Sequence, residues 1–318
     1  MSRAGLIINP ASGKASGKGM SLAEMMGRTP RVSTRILEKF EQLPHYLQAF
    51  ASEGVTDLFI SSGDGTIQAI QTELAERSPF KTLPRLSLLP HGTTNMTAGD
   101  LGIRYRSLRA QAEFIRNLQP SKLRQRPSLR VVNPGDGKPR YGMFLGTGAS
   151  SEATMFCQTA FNAKGVKGEW ATFATLASAA ARTMFTKADP RDETRLDRPF
   201  LIQVTSGGQQ FCSGPHLMML STTLERIVLG IKPFWGGQSG PIRTSIFPYP
   251  VPSVTRWLLP MMYGGENRRV PRGALSFSGA DLEILSSTSF VLDGEFFVSA
   301  PGEQLKVETG PVFTYLCG

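Results

Sequence analysis

Short apolar runs alternate with segments of helical spacing through the first 120 residues of the chain. Strands are predicted at residues 6–8, 32–37, 57–61 and 86–90. Helices are predicted at residues 42–53, 66–75 and 107–118. Because alternating strands and helices favour a parallel sheet covered by helices, the pattern predicts an α/β domain over residues 1–127. Its last residues, 120–127, are polar, basic and bounded by prolines, and are predicted to link two domains.

The pattern changes after residue 128, where short apolar runs alternate with glycine and proline turns. Strands are predicted at 129–132, 141–145, 200–205, 216–221, 227–230, 242–247, 274–277, 282–285, 290–292 and 296–299. This spacing is typical of an antiparallel sandwich or barrel, so a mostly β second domain is predicted over 128–300. Helices at 154–161 and 169–185 would form one wall of an apolar cleft. The end of the chain, 301–318, is expected to return to the first domain.

A glycine turn joins the predicted strand at 57–61 to the helix that follows it. Its residues are Ser62, Gly63, Asp64, Gly65 and Thr66. Glycine lets the backbone approach a ligand closely, and the first N–H groups of a helix bind anions. The turn suits a phosphate group, although a tight turn without a ligand explains it equally well.

Two neighbouring strand ends carry similar small, polar loops. Asn9, Ser12 and Gly13 follow the first strand, and Gly92, Thr93 and Asn95 follow the strand at 86–90. Ligands of parallel sheets bind beyond the carboxyl ends of the strands, where these loops meet the glycine turn. Capping explains Thr93 or Asn95 individually. Three such loops at one sheet edge favour a nucleotide site, to which Lys14 or Lys18 would add positive charge.

Two further carboxylates lie far downstream, in Asp293-Gly294-Glu295. Residues two apart share one face of a strand, although Gly294 permits other geometries. A hairpin turn explains the triplet on its own. The pair can cooperate with Asp64 only if the two domains fold over one cleft.

The chain has 318 residues and a formal net charge of +10, much of it between residues 104 and 140. There, ten cations face only Glu113 and Asp136 in sequence: Arg104, Arg106, Arg109, Arg116, Lys122, Arg124, Arg126, Arg130, Lys138 and Arg140. Such charge suits nucleic acid, an anionic membrane surface or a polyanionic small molecule. The sequence lacks zinc-finger, homeodomain and RNP signatures, so no nucleic-acid partner is predicted.

The cysteines and the hydropathy of the chain indicate the cellular compartment. Three widely spaced cysteines without a C-x-x-C pattern predict neither a disulfide framework nor a thiolate zinc site, which fits a reducing cytoplasm. The longest apolar-leaning segment, 170–185, is shorter than the ~20 residues of a membrane-spanning helix. The loops at 233–238 and 260–265 carry tryptophan and tyrosine, which suit a membrane interface.

The ordered motifs resemble one known family. Asn9-Pro10-x-Ser12-Gly13, Ser62-Gly63-Asp64-Gly65-Thr66, Pro90-x-Gly92-Thr93-x-Asn95 and Leu292-Asp293-Gly294-Glu295 are similar to the motif set of the diacylglycerol kinase and sphingosine kinase catalytic domain, including the bacterial soluble lipid kinases. The resemblance covers nearly the whole chain. It implies an ATP-dependent lipid kinase with a parallel-sheet nucleotide-binding domain, a mostly antiparallel β-sandwich lipid-binding domain and an active site in the cleft between them.

The resemblance also implies roles for residues. The glycine turn and the two neighbouring loops would bind ATP, and Mg²⁺ would be held by Asp64 and Asp293. Bacterial relatives imply that Glu295 accepts the proton of the lipid hydroxyl with support from Asp293, whereas eukaryotic relatives imply that Asp64 does so. The acceptor would be diacylglycerol or a related long-chain lipid, reached from the inner membrane face, and an oligomer is compatible with the family.

One departure from the family pattern keeps other functions open. The turn at 146–151 lacks the acidic residue expected near the lipid, and Glu152 is the nearest acid. An NAD kinase shares the Gly-Asp-Gly-Thr turn, but the Pro90–Asn95 motif and the apolar second domain disfavour it. A nucleotide-sensing or membrane-binding module without activity is disfavoured by the presence of Asp64 and Glu295.

Overall fold

The structure, a computed structural model, describes residues 3–12, 17–27, 29–105, 107–117, 122–152, 154, 198–251, 254–286 and 288–317. The helices are α1 Lys18–Met26, α2 Leu43–Ser52, α3 Asp64–Arg77, α4 Met96–Asp100, α5 Leu108–Asn117 and α6 Val254–Tyr263. The strands are β1 Ala4–Ile8, β2 Val32–Ile36, β3 Asp57–Ser62, β4 Arg85–Pro90, β5 Lys122–Val131, β6 Arg140–Gly142, β7 Phe144–Gly148, β8 Phe200–Ser206, β9 Gln209–Cys212, β10 Pro215–Thr222, β11 Ile242–Pro248, β12 Leu275–Gly279, β13 Asp281–Ser286, β14 Phe290–Leu292, β15 Glu295–Phe297 and β16 Leu305–Cys317. Apart from residue 154, the helices predicted at 154–161 and 169–185 lie outside the described residues.

A parallel sheet in the order β4-β3-β1-β2 forms the first half of the molecule. Its central strands β1 and β3 are buried along their whole length. Successive residues of a strand face opposite sides of the sheet. Accordingly, Ile60 packs with Phe50 of α2 and Ile67 of α3, whereas its neighbour Phe59 packs with Ile115 of α5. Helices therefore cover both faces, and the predicted α/β architecture is confirmed.

The second half is mostly antiparallel, as predicted. Strands β14, β7, β10, β11 and β12 pair antiparallel in that order, and β8 pairs antiparallel with β9, β10 and β13. Their inward residues, among them Leu145, Met219 and Phe290, form a second core.

The last strand, β16, joins the two halves. It pairs antiparallel with β5 and β13, and its Tyr315 pairs in parallel with Leu86 of β4. The Tyr315 side chain is fully buried, and its hydroxyl oxygen accepts a 2.6 Å hydrogen bond from Nε2 of Gln71 on α3. Strand β16 thus fixes α3, and the glycine turn at its start, relative to the second half.

Three local predictions are wrong. Residues 122–127 of the predicted linker belong to β5, because nine residues of β5 pair with β16 along its length. The strand predicted at 227–230 is a 3₁₀ turn, Val228–Gly230, in which Leu229 has a φ of 57°, outside the strand region. The loop predicted at 260–265 begins inside α6, where Met261 is buried and anchors the helix despite Pro260.

The basic segment at 104–140 is partly neutralised by acids from elsewhere in the chain. Arg126 lies 2.9 Å from Asp100 and 3.0 Å from Glu225, and Arg130 lies 3.1 Å from Glu308. The sequence neighbourhood alone therefore overstated the free positive charge of this segment. Among the helices that the structure describes, none is long and apolar enough to cross a membrane.

Candidate active site

The loop after β1 is tied to the glycine turn after β3. The Asn9 side-chain amide donates to Thr66 Oγ1 at 2.8 Å, and the Gly63 N–H donates to Ser12 Oγ at 3.2 Å. Asn9 also shapes its own loop, since its Oδ1 accepts the Ala11 N–H at 2.8 Å. The two strand ends therefore form one structural unit.

The loop after β4 packs against the same turn through two glycines. A Cβ on Gly92 would lie 2.3 Å from Gly63 Cα, so a side chain at Gly92 would collide with backbone. Asn95 holds this loop in shape: its Oδ1 accepts the Gly92 N–H at 2.9 Å, and its Nδ2 donates to the Gly92 carbonyl at 2.7 Å. Asn95 itself adopts a left-handed conformation with φ of 47°, which asparagine tolerates better than most residues.

Asp64 is buried and accepts three hydrogen bonds from the start of α4. Its Oδ2 accepts from the Thr94 hydroxyl and the Met96 N–H, both at 2.9 Å, and its Oδ1 accepts from the Thr97 N–H at 3.3 Å. These bonds satisfy backbone donors that the helix itself cannot pair. The Asp64 carboxylate therefore connects the glycine turn to the loop after β4.

Asp293 and Gly294 form the two-residue turn of the β14–β15 hairpin. Both have positive φ, 48° and 90°, as a type I′ turn requires, and Leu292 pairs with Glu295 across it. The buried Asp293 carboxylate accepts the Met143 N–H at 2.8 Å and the Phe144 N–H at 2.9 Å. The hairpin-turn explanation of Asp-Gly-Glu is thus correct, and Asp293 also anchors that turn to the start of β7.

Glu295 brings the hairpin onto the glycine turn. A Cβ on Gly65 would lie 2.3 Å from Glu295 Oε1, so the carboxylate rests directly against the Gly65 backbone. Although the residue as a whole is exposed, its carboxylate is partly desolvated by this contact, and burial raises the pKa of Glu295 above its ordinary value. The acidic motif near the end of the chain and the glycine turn therefore lie side by side.

The charges of this cluster act on one another. Burial raises the pKa of Asp293 well above its usual range, the negative charge of Asp64 raises it further, and the N–H groups of Met143 and Phe144 oppose both effects. Three carboxylates, from Asp64, Asp293 and Glu295, thus gather at one edge of the parallel sheet.

The structure brings together most of the residues that the sequence singled out. In contact at this edge are Asn9, Ser12, Gly63, Asp64, Gly65, Thr66, Gly92, Asn95 and Glu295. Ser62 is buried, and its hydroxyl donates a hydrogen bond to the Gly63 carbonyl. Thr93 is exposed. Gly13 lies outside the described residues. The roles assigned to all these residues stay predictions.

Two further residues support this edge of the sheet, and sequence reasoning missed one of them, Thr94. Thr94 donates to Asp64, a contact signalled only by a hydroxyl residue just ahead of a helix. Buried His91 joins the ends of β3 and β4 through a 2.8 Å hydrogen bond between its Nδ1 and Ser61 Oγ. Burial lowers the pKa of His91, and the nearby charge of Lys18 lowers it further. A neutral imidazole suits this structural position.

The carboxylates predicted as magnesium ligands are engaged in hydrogen bonds within the protein. Both oxygens of Asp64 and both oxygens of Asp293 already accept hydrogen bonds. Within the described part of the chain, no three His, Cys, Asp or Glu side chains are grouped to hold a metal ion. Mg²⁺ therefore stays a prediction from the family resemblance, and no reaction step is derived through it.

Asp293→Asn is expected to lower the free energy of unfolding by about 1–3 kcal/mol at pH 5, because an amide cannot accept from both N–H groups and one is left unpaired. Because the pKa of Asp293 is raised, its neutral carboxyl favours the folded wild-type protein. This contribution to stability is complete below the ordinary pKa of 3.8 and is lost as the pH rises toward the raised pKa. The difference between the two proteins should therefore narrow with rising pH. Urea unfolding across pH 4–7 measures it, and a difference that widens would contradict this account.

Comparisons with known proteins agree with this fold. Residues 3–124 match the family model of the diacylglycerol kinase catalytic domain. A solved structure described as a diacylglycerol kinase from Bacillus anthracis strain Sterne superposes with a TM-score of 0.64 at 17% identity, covering 99% of this chain and 97% of that one. A second structure from the same organism gives a TM-score of 0.66 at 16% identity, with the same coverage of both chains. No curated protein sequence matches the chain.

The fold of the bacterial structures extends over both halves of this chain. The match to the diacylglycerol kinase catalytic-domain model is confined to residues 3–124, and the rest of the chain completes the fold seen in the bacterial structures.

Proposed function

We propose that this protein is an ATP-dependent lipid kinase that transfers the γ-phosphate to the hydroxyl of diacylglycerol or a related long-chain lipid. The observation that carries the proposal is the contact between the Glu295 carboxylate and the Gly65 backbone. It joins a potential proton acceptor to the turn best suited to phosphate. The family of residues 3–124 supports the class of reaction.

The strand-end loops would bind the nucleotide. Phosphoryl transfer depends mainly on positioning and charge neutralisation, and N–H groups around glycine turns provide both. The proposed contacts to ATP are Asn9, Ser12, Gly13, Ser62, Gly63, Gly65, Thr66, Gly92, Thr93 and Asn95. The exposed Thr93 hydroxyl and the half-buried backbone of Gly63 and Gly65 are the parts available to a ligand, since the Asn95 side chain is hydrogen-bonded within its own loop.

Glu295 is the proposed proton acceptor. The lipid hydroxyl oxygen attacks the γ-phosphorus, the bond from that phosphorus to the β–γ bridging oxygen breaks, and ADP leaves with the bonding electrons. The hydroxyl proton passes to Glu295. A carboxylate whose pKa is raised by burial is the better base for this step, because it binds the proton more tightly.

Asp64 and Asp293 are assigned supporting roles. Asp64 organises the start of α4 beside the glycine turn, and Asp293 builds the hairpin turn that presents Glu295. We further propose a cytoplasmic protein that works at the anionic inner membrane face, where its lipid substrate lies and where the net charge of +10 favours binding.

Purified protein with Mg-ATP is expected to phosphorylate at least one lipid from a panel of diacylglycerol, monoacylglycerol, ceramide, sphingosine and phosphatidylglycerol. Transfer of ³²P from γ-labelled ATP to each lipid measures this directly. NAD serves as the competing acceptor in the same assay. Labelling of NAD alone would overturn the lipid assignment, and ATP binding without labelling of any acceptor would favour a nucleotide sensor.

A further inference from the structure

A second exposed feature lies outside the catalytic cleft, on the segment after β10 and on helix α6. Leu229, Leu259 and Tyr263 expose 82%, 67% and 54% of their surface. Single exposed apolar residues are common on proteins, but several close together mark an interaction site. We call these three residues the apolar triad.

The segment that carries Leu229 is joined to the end of helix α6, which carries the other two members of the apolar triad. Leu259 and Tyr263 are four residues apart on α6 and so share a helix face. The turn that carries Leu229 leads into Lys232, whose N–H donates to the Met262 carbonyl at 2.8 Å. Arg268 fastens the same junction, since its Nη1 donates to the carbonyls of Lys232 and Met261, both at 2.6 Å.

Other apolar residues of this unit, the segment and the helix together, are buried. Ile227, Ile231 and Met261 belong to the core that also contains Leu101 and Met96 of the first half. The apolar residues of the unit therefore divide into an inner set, which holds it in place, and the outer triad. The triad is not needed to anchor the unit to the protein.

Leu229 is held in an unusual conformation. Its φ of 57° is in the left-handed region, which bulky residues rarely adopt and which glycine would occupy without cost. The strained turn directs a large apolar side chain into solvent. Strain of this kind is more often kept for function than for packing.

Cations accompany the apolar triad. Between residues 224 and 273 the chain has seven arginine and lysine residues and only two acids, Glu225 and Glu266. Lys232, Arg256 and Arg269 are exposed. Glu225 is already paired with Arg126 of β5, so it offsets little of this charge.

We propose that the apolar triad and its surrounding cations form a docking surface for an anionic phospholipid bilayer. A few separate apolar side chains with a tyrosine and exposed cations match an interface of headgroups and upper acyl chains. The cations would be attracted to anionic headgroups and the triad would enter the apolar boundary beneath them.

The surface is connected to the catalytic cleft by short links. Both oxygens of Asp100, at the end of α4, are engaged: Oδ1 accepts the N–H groups of Glu225 and Arg226 at 2.9 Å each, and Oδ2 pairs with Arg126. The start of the same helix is held by Asp64. A bilayer on this surface would thus have a fixed position relative to the cleft, although the docking itself does not depend on the proposed kinase activity.

Flotation of the full chain with vesicles tests the proposal. Wild-type protein should float with phosphatidylcholine vesicles that contain phosphatidylglycerol, less so at high salt, and poorly with phosphatidylcholine alone. Leu229→Ser and Leu259→Ser should each lower the partition coefficient about tenfold, as expected for removing an apolar side chain from an apolar environment. Lys232→Glu should lower it at least about fivefold, since each basic residue near the surface contributes about 1 kcal/mol.

Leu201→Ser is the matched control, because it removes a leucine of 64% exposure from β8 without touching the triad. It should float like the wild type. Unchanged flotation of both triad variants would overturn the proposal, as would an equal loss in the control. Triad variants that lose thermal stability instead of flotation would show that the surface packs within the protein or against another one, and would also overturn it. Phosphorylation of a water-soluble short-chain diacylglycerol, measured separately, distinguishes loss of docking from failure of the proposed activity.

Discussion

Glu295→Gln is expected to lower the rate of lipid phosphorylation by about 10²- to 10⁴-fold, the usual contribution of a positioned general base. Glutamine keeps the size of the side chain against Gly65 but cannot take up the proton of the attacking hydroxyl. Because the residue is exposed, thermal unfolding should change little. Steady-state transfer of ³²P from ATP to diacylglycerol measures the loss, and Glu303→Gln, an exposed glutamate in the following segment, is the matched control.

The pH profile gives an independent check of the same role. A general base acts only when ionised, so wild-type activity should fall as the pH drops through the pKa of Glu295. Because burial raises that pKa, this limb should lie above the ordinary value of 4.5. If the activity of Glu295→Gln still fell at low pH in the same way, the titrating group would be another residue, and that residue would be the general base.

Gly65→Ala tests whether the position of the Glu295 carboxylate matters, because it leaves the carboxylate itself unchanged. The added Cβ would meet the end of the flexible Glu295 side chain, which can move aside without disturbing the fold. Activity should fall in Gly65→Ala, but combining it with Glu295→Gln should cost little more, because both changes remove one interaction. Fully additive losses would contradict a shared role.

Local patterns predicted the fold well wherever each strand is apolar along its length. Buried runs such as β1 and β3 have a composition typical of the centre of a parallel sheet. Residues 122–127 of β5 were missed because their charged side chains conceal the strand pattern, and their pairing partners on β16 lie more than 180 residues further along the chain. Pairing over that distance leaves no mark on the local sequence.

The candidate site likewise contains features that local sequence predicts and contacts that it does not. Glycine turns at strand ends and the paired acids were evident from the sequence, because both depend on local backbone chemistry. The contact of Glu295 with Gly65 depends on how the two halves pack, and the three donors around Asp64 come from a loop about 30 residues further on. Sequence can nominate such groups but cannot say which atoms meet.

Asp64→Asn is expected to reduce both activity and stability, which distinguishes a structural carboxylate from a purely catalytic one. An asparagine at this position can accept through one oxygen only, so its NH₂ group would face a donor among Thr94, Met96 and Thr97. Leaving one buried donor unpaired should lower the free energy of unfolding by about 1–3 kcal/mol. Displacement of the loop after β4 should lower phosphorylation at the same time.

Urea unfolding and the phosphorylation assay, run on the same preparations, measure the two effects of Asp64→Asn. Asp136→Asn is the control, since it affects only an exposed carboxylate that pairs with Arg140 and accepts the Lys138 N–H, and it should change stability by less than about 1 kcal/mol. Thr94→Val adds a graded case: it removes one donor to Asp64 while leaving the two N–H bonds, so both stability and activity should fall less than in Asp64→Asn. If Asp64→Asn abolished turnover with unfolding unchanged, Asp64 would have to act on the reactants themselves, and the assignment of proton transfer to Glu295 would be wrong or incomplete.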